Sequence, residues 1–133
     1  MASPPTYSHA RCGVLVISKS PVDRVVIAKI VERCGLRPVC EEPAKAGLRL
    51  QELQPGIVIV DFDAGCEGVL ALVCDQQRVS PARLPRTIVL SRSGAALDEL
   101  TAGNAAVDAV VRKPLTAETL QPVIDRLRGT VRG

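Results

Sequence analysis

The sequence predicts an α/β domain: a five-stranded parallel sheet in the order 2-1-3-4-5 with helices on both faces. Three observations lead there. Short runs of β-branched and aliphatic residues recur, long enough for a strand and too uniformly apolar for a sheet with one wet face. Between them lie stretches with helical spacing of apolar positions, joined by short turns, so strand and helix alternate along the chain. The second extended run carries Pro38, which cannot donate to a ladder and belongs at a sheet edge. With right-handed crossovers, that edge placement selects the doubly wound order.

The elements follow in chain order. Val14-Leu15-Val16-Ile17 is the first strand and stops at Ser18. Ser20 then caps a helix with Pro21 at its first position, and Val26, Ile27, Ile30, Val31 and Cys34 form its apolar stripe, closed by Gly35. Arg37 to Cys40 is the second strand. A helix after Glu42-Pro43 buries Ala46, Leu50 and Leu53 and ends near Pro55-Gly56. Ile57-Val58-Ile59-Val60 is the third strand and runs straight into Asp61. A third helix is expected from Gly68 to Arg78, a fourth strand from Thr87 to Leu90, and a short helix around Leu97 and Leu100. Val107 to Val111 is the fifth strand and delivers Arg112-Lys113-Pro114. Thr116 caps a last helix on Leu120, Val123, Ile124 and Leu127, with Pro122 expected to bend it or delay its start.

Composition bounds the rest. A chain of 133 residues, 47% hydrophobic and 23% charged, suits one domain. Residues 1–12, rich in Pro, Ser and Ala, read as a disordered arm, 13–128 as the domain, and 129–133 as a frayed end. A formal charge of +3 is too small and too dispersed for a nucleic-acid surface. Tyr7 and Phe62, the two aromatics, cannot supply stacking platforms for single-stranded nucleic acid or flat cofactors. Cys12, Cys34, Cys40, Cys66 and Cys74 contain no C-x-x-C pair and read as buried thiols of a reducing compartment. No segment reaches the roughly 18 apolar residues of a membrane span. The expectation is a cytoplasmic protein.

In a parallel sheet, ligand chemistry collects at the carboxyl ends of the strands. Here those ends hold Ser18-Lys19, Asp61, Ser91 and Lys113-Pro114. An aspartate after four apolar residues, a hydroxyl after the next buried strand and a Lys-Pro after the last resemble the CheY-like receiver domains of bacterial response regulators, a flavodoxin-like fold. The resemblance spans nearly the whole chain, from about Gly13 to Arg128. It implies a phosphoacceptor at Asp61, fed by a histidine kinase or phosphotransfer protein. It also implies that Lys113 pairs with the carboxylate and then the phosphate, that Ser91 bonds the phosphate, and that the bond before Pro114 is cis.

The departures from that pattern are specific. Receivers end the first strand in two acids that hold Mg²⁺, and here Ser18 and Lys19 stand in those places. A hydroxyl is a poor ligand for so hard a cation. Two unit charges about 4 Å apart interact by roughly 4 kcal/mol at an effective dielectric near 20, so an ammonium at Lys19 opposes a metal there. The expectation is no cofactor, with Lys19 and Lys113 together holding Asp61 as an ion pair. Asp63 and Glu67 offer replacement oxygens, although solvated loop acids are the simpler reading. The loop from Asp61 to Gly68 is one residue short of the usual length and lacks its Met-Pro. The switch position on the fifth strand, normally Tyr or Phe, is Val110, and Arg92 follows Ser91 where receivers favour a small residue.

Three functions compete on these residues. The first is a stand-alone atypical receiver in two-component signalling, no enzyme itself, phosphorylated on Asp61 and docking on a kinase and a downstream effector. The second is a pseudo-receiver, never phosphorylated, serving as a constitutive binding or homodimerisation module. The third, a flavin or nucleotide binder, needs a glycine-rich phosphate loop after the first strand. Ser18-Lys19-Ser20-Pro21 has no glycine.

Overall fold

The computed structural model describes residues 13–53, 55–61, 86–92 and 107–131. Five parallel strands form one sheet: β1 (Gly13–Ile17), β2 (Arg37–Glu41), β3 (Ile57–Asp61), β4 (Arg86–Ser91) and β5 (Ala109–Arg112), in the order β2-β1-β3-β4-β5. Three described helices accompany them: α1 (Pro21–Arg33), α2 (Ala46–Leu53) and α3 (Ala117–Val131). The expected helices at Gly68 to Arg78 and around Leu97 and Leu100 lie outside the described residues.

Strand alternation sorts the core into two layers. Val14, Val16, Ile57, Ile59, Ile88 and Leu90 point to one face, where Ile27, Ile30 and Val31 of α1 and Leu120, Ile124 and Leu127 of α3 cover them. Leu15, Ile17, Val58, Val60 and Val89 point to the other, against Ala46 and Leu50 of α2. Every residue of β3 is buried, as a central parallel strand with both faces covered requires. Strand β2 lies at the edge, where Pro38 costs no ladder bond.

Local chemistry sets the element ends. The Ser20 hydroxyl accepts the Asp23 amide at 3.2 Å, and Gly35 closes the turn after α1 with φ of 82°. Thr116 caps α3 by accepting the Thr119 amide at 3.2 Å, so Pro122 does not delay the helix, whose backbone continues to Val131. A single 3₁₀ turn over Pro43–Lys45 precedes α2. β5 begins at Ala109 rather than Val107, because Asp108 takes the preceding ladder position with its side chain. Its Oδ2 accepts the Thr87 amide at 2.8 Å and its Oδ1 pairs with Arg86.

Three burial expectations need correction. Val26 lies outside the α1 core stripe and is 37% exposed, beside Val22 and Val25. It sits one position before Ile27, and a stripe at helical spacing turns it toward solvent. Leu53 is only half-buried at the end of α2. Cys40 is exposed, because β2 is an edge strand, whereas Cys34 is buried under α1. No described helix is long and apolar enough to cross a membrane.

The buried centre of β3 carries a stability prediction. Ile59→Ala should lower unfolding free energy by about 3 kcal/mol in chemical denaturation, through lost burial and a residual cavity. Val25→Ala on the exposed side of α1 should change it by less than about 0.5 kcal/mol.

Candidate functional site

The carboxyl ends of β1, β3, β4 and β5 meet at one edge of the sheet, and there the strands hand over to polar side chains. Asp61 is the last residue of β3 and has no exposed surface, and Ser18 and Ser91 are equally buried. A carboxylate without solvent is tolerated only with close partners. Asp61 has two. The Lys113 ammonium donates to Oδ1 at 2.7 Å, and the Ser18 hydroxyl donates to Oδ2 at 2.8 Å. The Ser18 oxygen in turn accepts the Ser20 amide at 3.1 Å, so one hydroxyl ties the carboxylate to the turn before α1.

Lys113 reaches inward from the end of β5. Its amide donates to the Ser91 carbonyl at 3.1 Å, and the bond to Pro114 is cis. The side chain is 10% exposed. Its ammonium also donates to Asp23 Oδ2 at 3.3 Å, so two carboxylates share it. Burial by itself pushes the Lys113 ammonium toward deprotonation. The hydrogen bonds and charges of Asp61 and Asp23 outweigh that and raise its pKa above the ordinary value.

Asp61, Ser91, Lys113, Pro114 and Ser18 therefore come together at one sheet edge as the strand-end reading requires. Lys19 does not join them. It is exposed, and among the described residues the ion pair of Asp61 is with Lys113. Ser18 turns inward at the end of β1, and its neighbour turns out, where an ammonium keeps its hydration. The expected Lys19–Asp61 pair is thus replaced by Ser18 and Lys113. Val110 is half-buried and packs against the α2-side core. Arg92 is exposed and, with Asp23, Val26, Lys113, Pro114 and Leu115, lines a cavity of about 350 Å³ between α1 and the turn after β5. Asp63 and Glu67 lie outside the described residues.

Two residues were missed by sequence reasoning. Asp23 pairs with Lys113, and the Arg24 guanidinium donates to the Ser18 carbonyl. Asp23 left a readable trace. It stands four and seven residues before Ile27 and Ile30, so it extends the buried stripe of α1 one turn toward the sheet's carboxyl edge. An acid on a core stripe needs a cation facing it. Arg24 gave no such signal, because a guanidinium on a backbone carbonyl depends on loop geometry alone.

Mg²⁺ wants carboxylate oxygens and water. Here both oxygens of Asp61 already serve Ser18 and Lys113, Asp23 serves the same lysine, and no group of three or more His, Cys, Asp or Glu side chains among the described residues is placed to hold a metal.

The buried pair makes a measurable prediction. Lys113→Met leaves an uncompensated buried carboxylate and should destabilise by about 3–5 kcal/mol at neutral pH, with most of the loss recovered in Lys113→Met/Asp61→Asn. Because the folded-state pKa of Lys113 is raised, its contribution is complete below the ordinary lysine value of 10.5 and is lost as pH climbs through the higher folded value. Denaturation curves from about pH 9 to 12 should show that alkaline loss in the wild type and not in Lys113→Met.

No protein-family model matches the chain, and no curated protein is similar to it. Solved structures are. The response regulator signal receiver domain of Bermanella marisrubri superposes with a TM-score of 0.75 at 19% identity, over 89% of this chain and 98% of that one. The chemotaxis response regulator CheY4 of Vibrio cholerae gives 0.74 at 17% identity, over 88% and 98%. A Burkholderia pseudomallei protein described as pilus assembly-related gives 0.72 at 22% identity, over 91% and 92%. The fold is that of CheY-like receiver domains.

Proposed function

We propose that this chain is a receiver-type signalling module of a two-component system, in which Asp61 accepts a phosphoryl group and a bound protein partner reads the result. The observation that carries the reading is the strand-end constellation: a carboxylate at the end of the central strand, 2.7 Å from a lysine ammonium delivered by the last strand, with Ser91 ending the strand between them. An Asp61 oxygen would attack phosphorus while the bond to a donor histidine nitrogen breaks, the electron pair leaving with the imidazole. Such a transfer is governed by positioning and by neutralisation of the phosphoryl oxygens. Lys113 stands where that charge develops, and the Ser91 hydroxyl is a donor on the adjacent strand end. The fold shared with receiver domains supports this reading.

A donor protein needs a place to sit. Val22, Val25 and Val26 are 70%, 55% and 37% exposed on α1, and Val26 also lines the cavity beside Lys113. An apolar patch at the mouth of a charged site suits the helix of a histidine kinase or phosphotransfer protein.

A second reading has specific support. Asp61 has no exposed surface and its charge is already met, and the acids that would recruit a metal are missing. A binding module that is never phosphorylated would look the same at rest. Incubation with a small phosphodonor such as phosphoramidate, with and without Mg²⁺, followed by intact mass, separates the two. A gain of one phosphoryl group in the wild type that is lost in Asp61→Asn is the expected outcome. A folded protein that gains nothing under either condition establishes the binding module instead.

A further inference from the structure

The ammonium of Lys113 stands between two carboxylates. Asp61 Oδ1 lies 2.7 Å from it on the inner side and Asp23 Oδ2 3.3 Å on the outer side. An ammonium has three donors and can serve both at once. The two acids come from different elements, β3 and the first turn of α1, so their convergence on one nitrogen is a tertiary arrangement and no consequence of local sequence.

We infer that Asp23 is a positioning residue for Lys113: together with Asp61 it locks the ammonium in place, so that the lysine is the built-in counter-cation of a site that takes no divalent metal. A lysine has a flexible four-carbon stem, and its head group moves to water unless something holds it. Asp61 alone is a single tether at the bottom of the site. Asp23, a third exposed at its side chain, supplies a second tether on the side that opens to solvent. The same arrangement turns metal away. A divalent ion approaching Asp61 meets a held positive charge, and Asp61 Oδ1 and Asp23 Oδ2 already accept from it. Among the described residues, Arg92 after β4 lines the same cavity as Lys113, and Arg24 of α1 caps the Ser18 carbonyl, both adding positive charge. This inference goes beyond the receiver reading and holds whether or not Asp61 is phosphorylated.

The test reads the lysine directly. With Lys113 followed by NMR at its side-chain carbon or nitrogen, Asp23→Asn should lower its proton affinity about tenfold, one pH unit. Asp23→Glu should restore it, and Glu32→Gln, an exposed acid elsewhere on α1, should leave it unchanged. A titration of Lys113 that is the same in wild type and Asp23→Asn, or that Glu32→Gln moves equally, overturns the positioning role. In the unmodified protein, added Mn²⁺ should produce no saturable line broadening centred on Asp61 and Ser18. Broadening that saturates there shows a metal site and overturns the built-in cation. Neither measurement depends on phosphoryl transfer, so the mass experiment and this one fail separately.

Discussion

A carboxylate buried at the end of the central strand can stay charged only if its charge is met at contact distance, and Asp61 meets that condition through Lys113 and Ser18. Much of the surrounding structure follows from this requirement. Lys113 must be delivered by a strand two places away in the sheet, which needs β4 in register between β3 and β5. The Ser18 hydroxyl must face inward, which the turn into α1 secures by spending the Ser20 amide on it and the Arg24 guanidinium on its carbonyl.

The aliphatic core makes that polar edge possible. Val, Ile and Leu fill both faces of the sheet with no aromatic ring among the described core residues. Close-packed β-branched side chains give the strand ends a rigid frame, and hydrogen bonds of 2.7 and 2.8 Å to one carboxylate need that rigidity. Stability and function therefore pull together along β3. The side chains that anchor the strand are the ones that position Asp61.

The positive charge beside Asp61 comes from the chain's own lysine. The end of β1 carries Ser18 and Lys19, a hydroxyl and an ammonium rather than two acids, and Lys19 is exposed. The cation beside Asp61 is part of the chain and, among the described residues, is held from β3 and from α1. A covalently supplied cation cannot be removed by chelation or exchanged. Its geometry is set by folding rather than by the concentration of an ion, which makes α1 part of the site's electrostatics and not merely its cover.

Strand positions, the edge placement of β2, the capping of α1 and α3 and the convergence of Asp61, Ser91 and Lys113 were legible in the residues, because each rests on a local rule: apolar runs, a proline without a donor, a hydroxyl before a helix, and the topological consequence of alternating strands and helices. The partners of the charged groups were not. Lys19 is adjacent to Ser18 in sequence and looked equally able to face Asp61, whereas Asp23 left only its place on the buried stripe of α1, which does not name its partner. Which of them reaches the site depends on how α1 is rotated about its axis over β1 and β2 and beside α3, and that rotation is set by the packing of Ile27, Ile30 and Val31 against residues far away in the chain. Local patterns specify elements and their order. Ion pairs across them are chosen by packing, since a shift of one residue around a helix turns a side chain by about 100° and exchanges core for solvent.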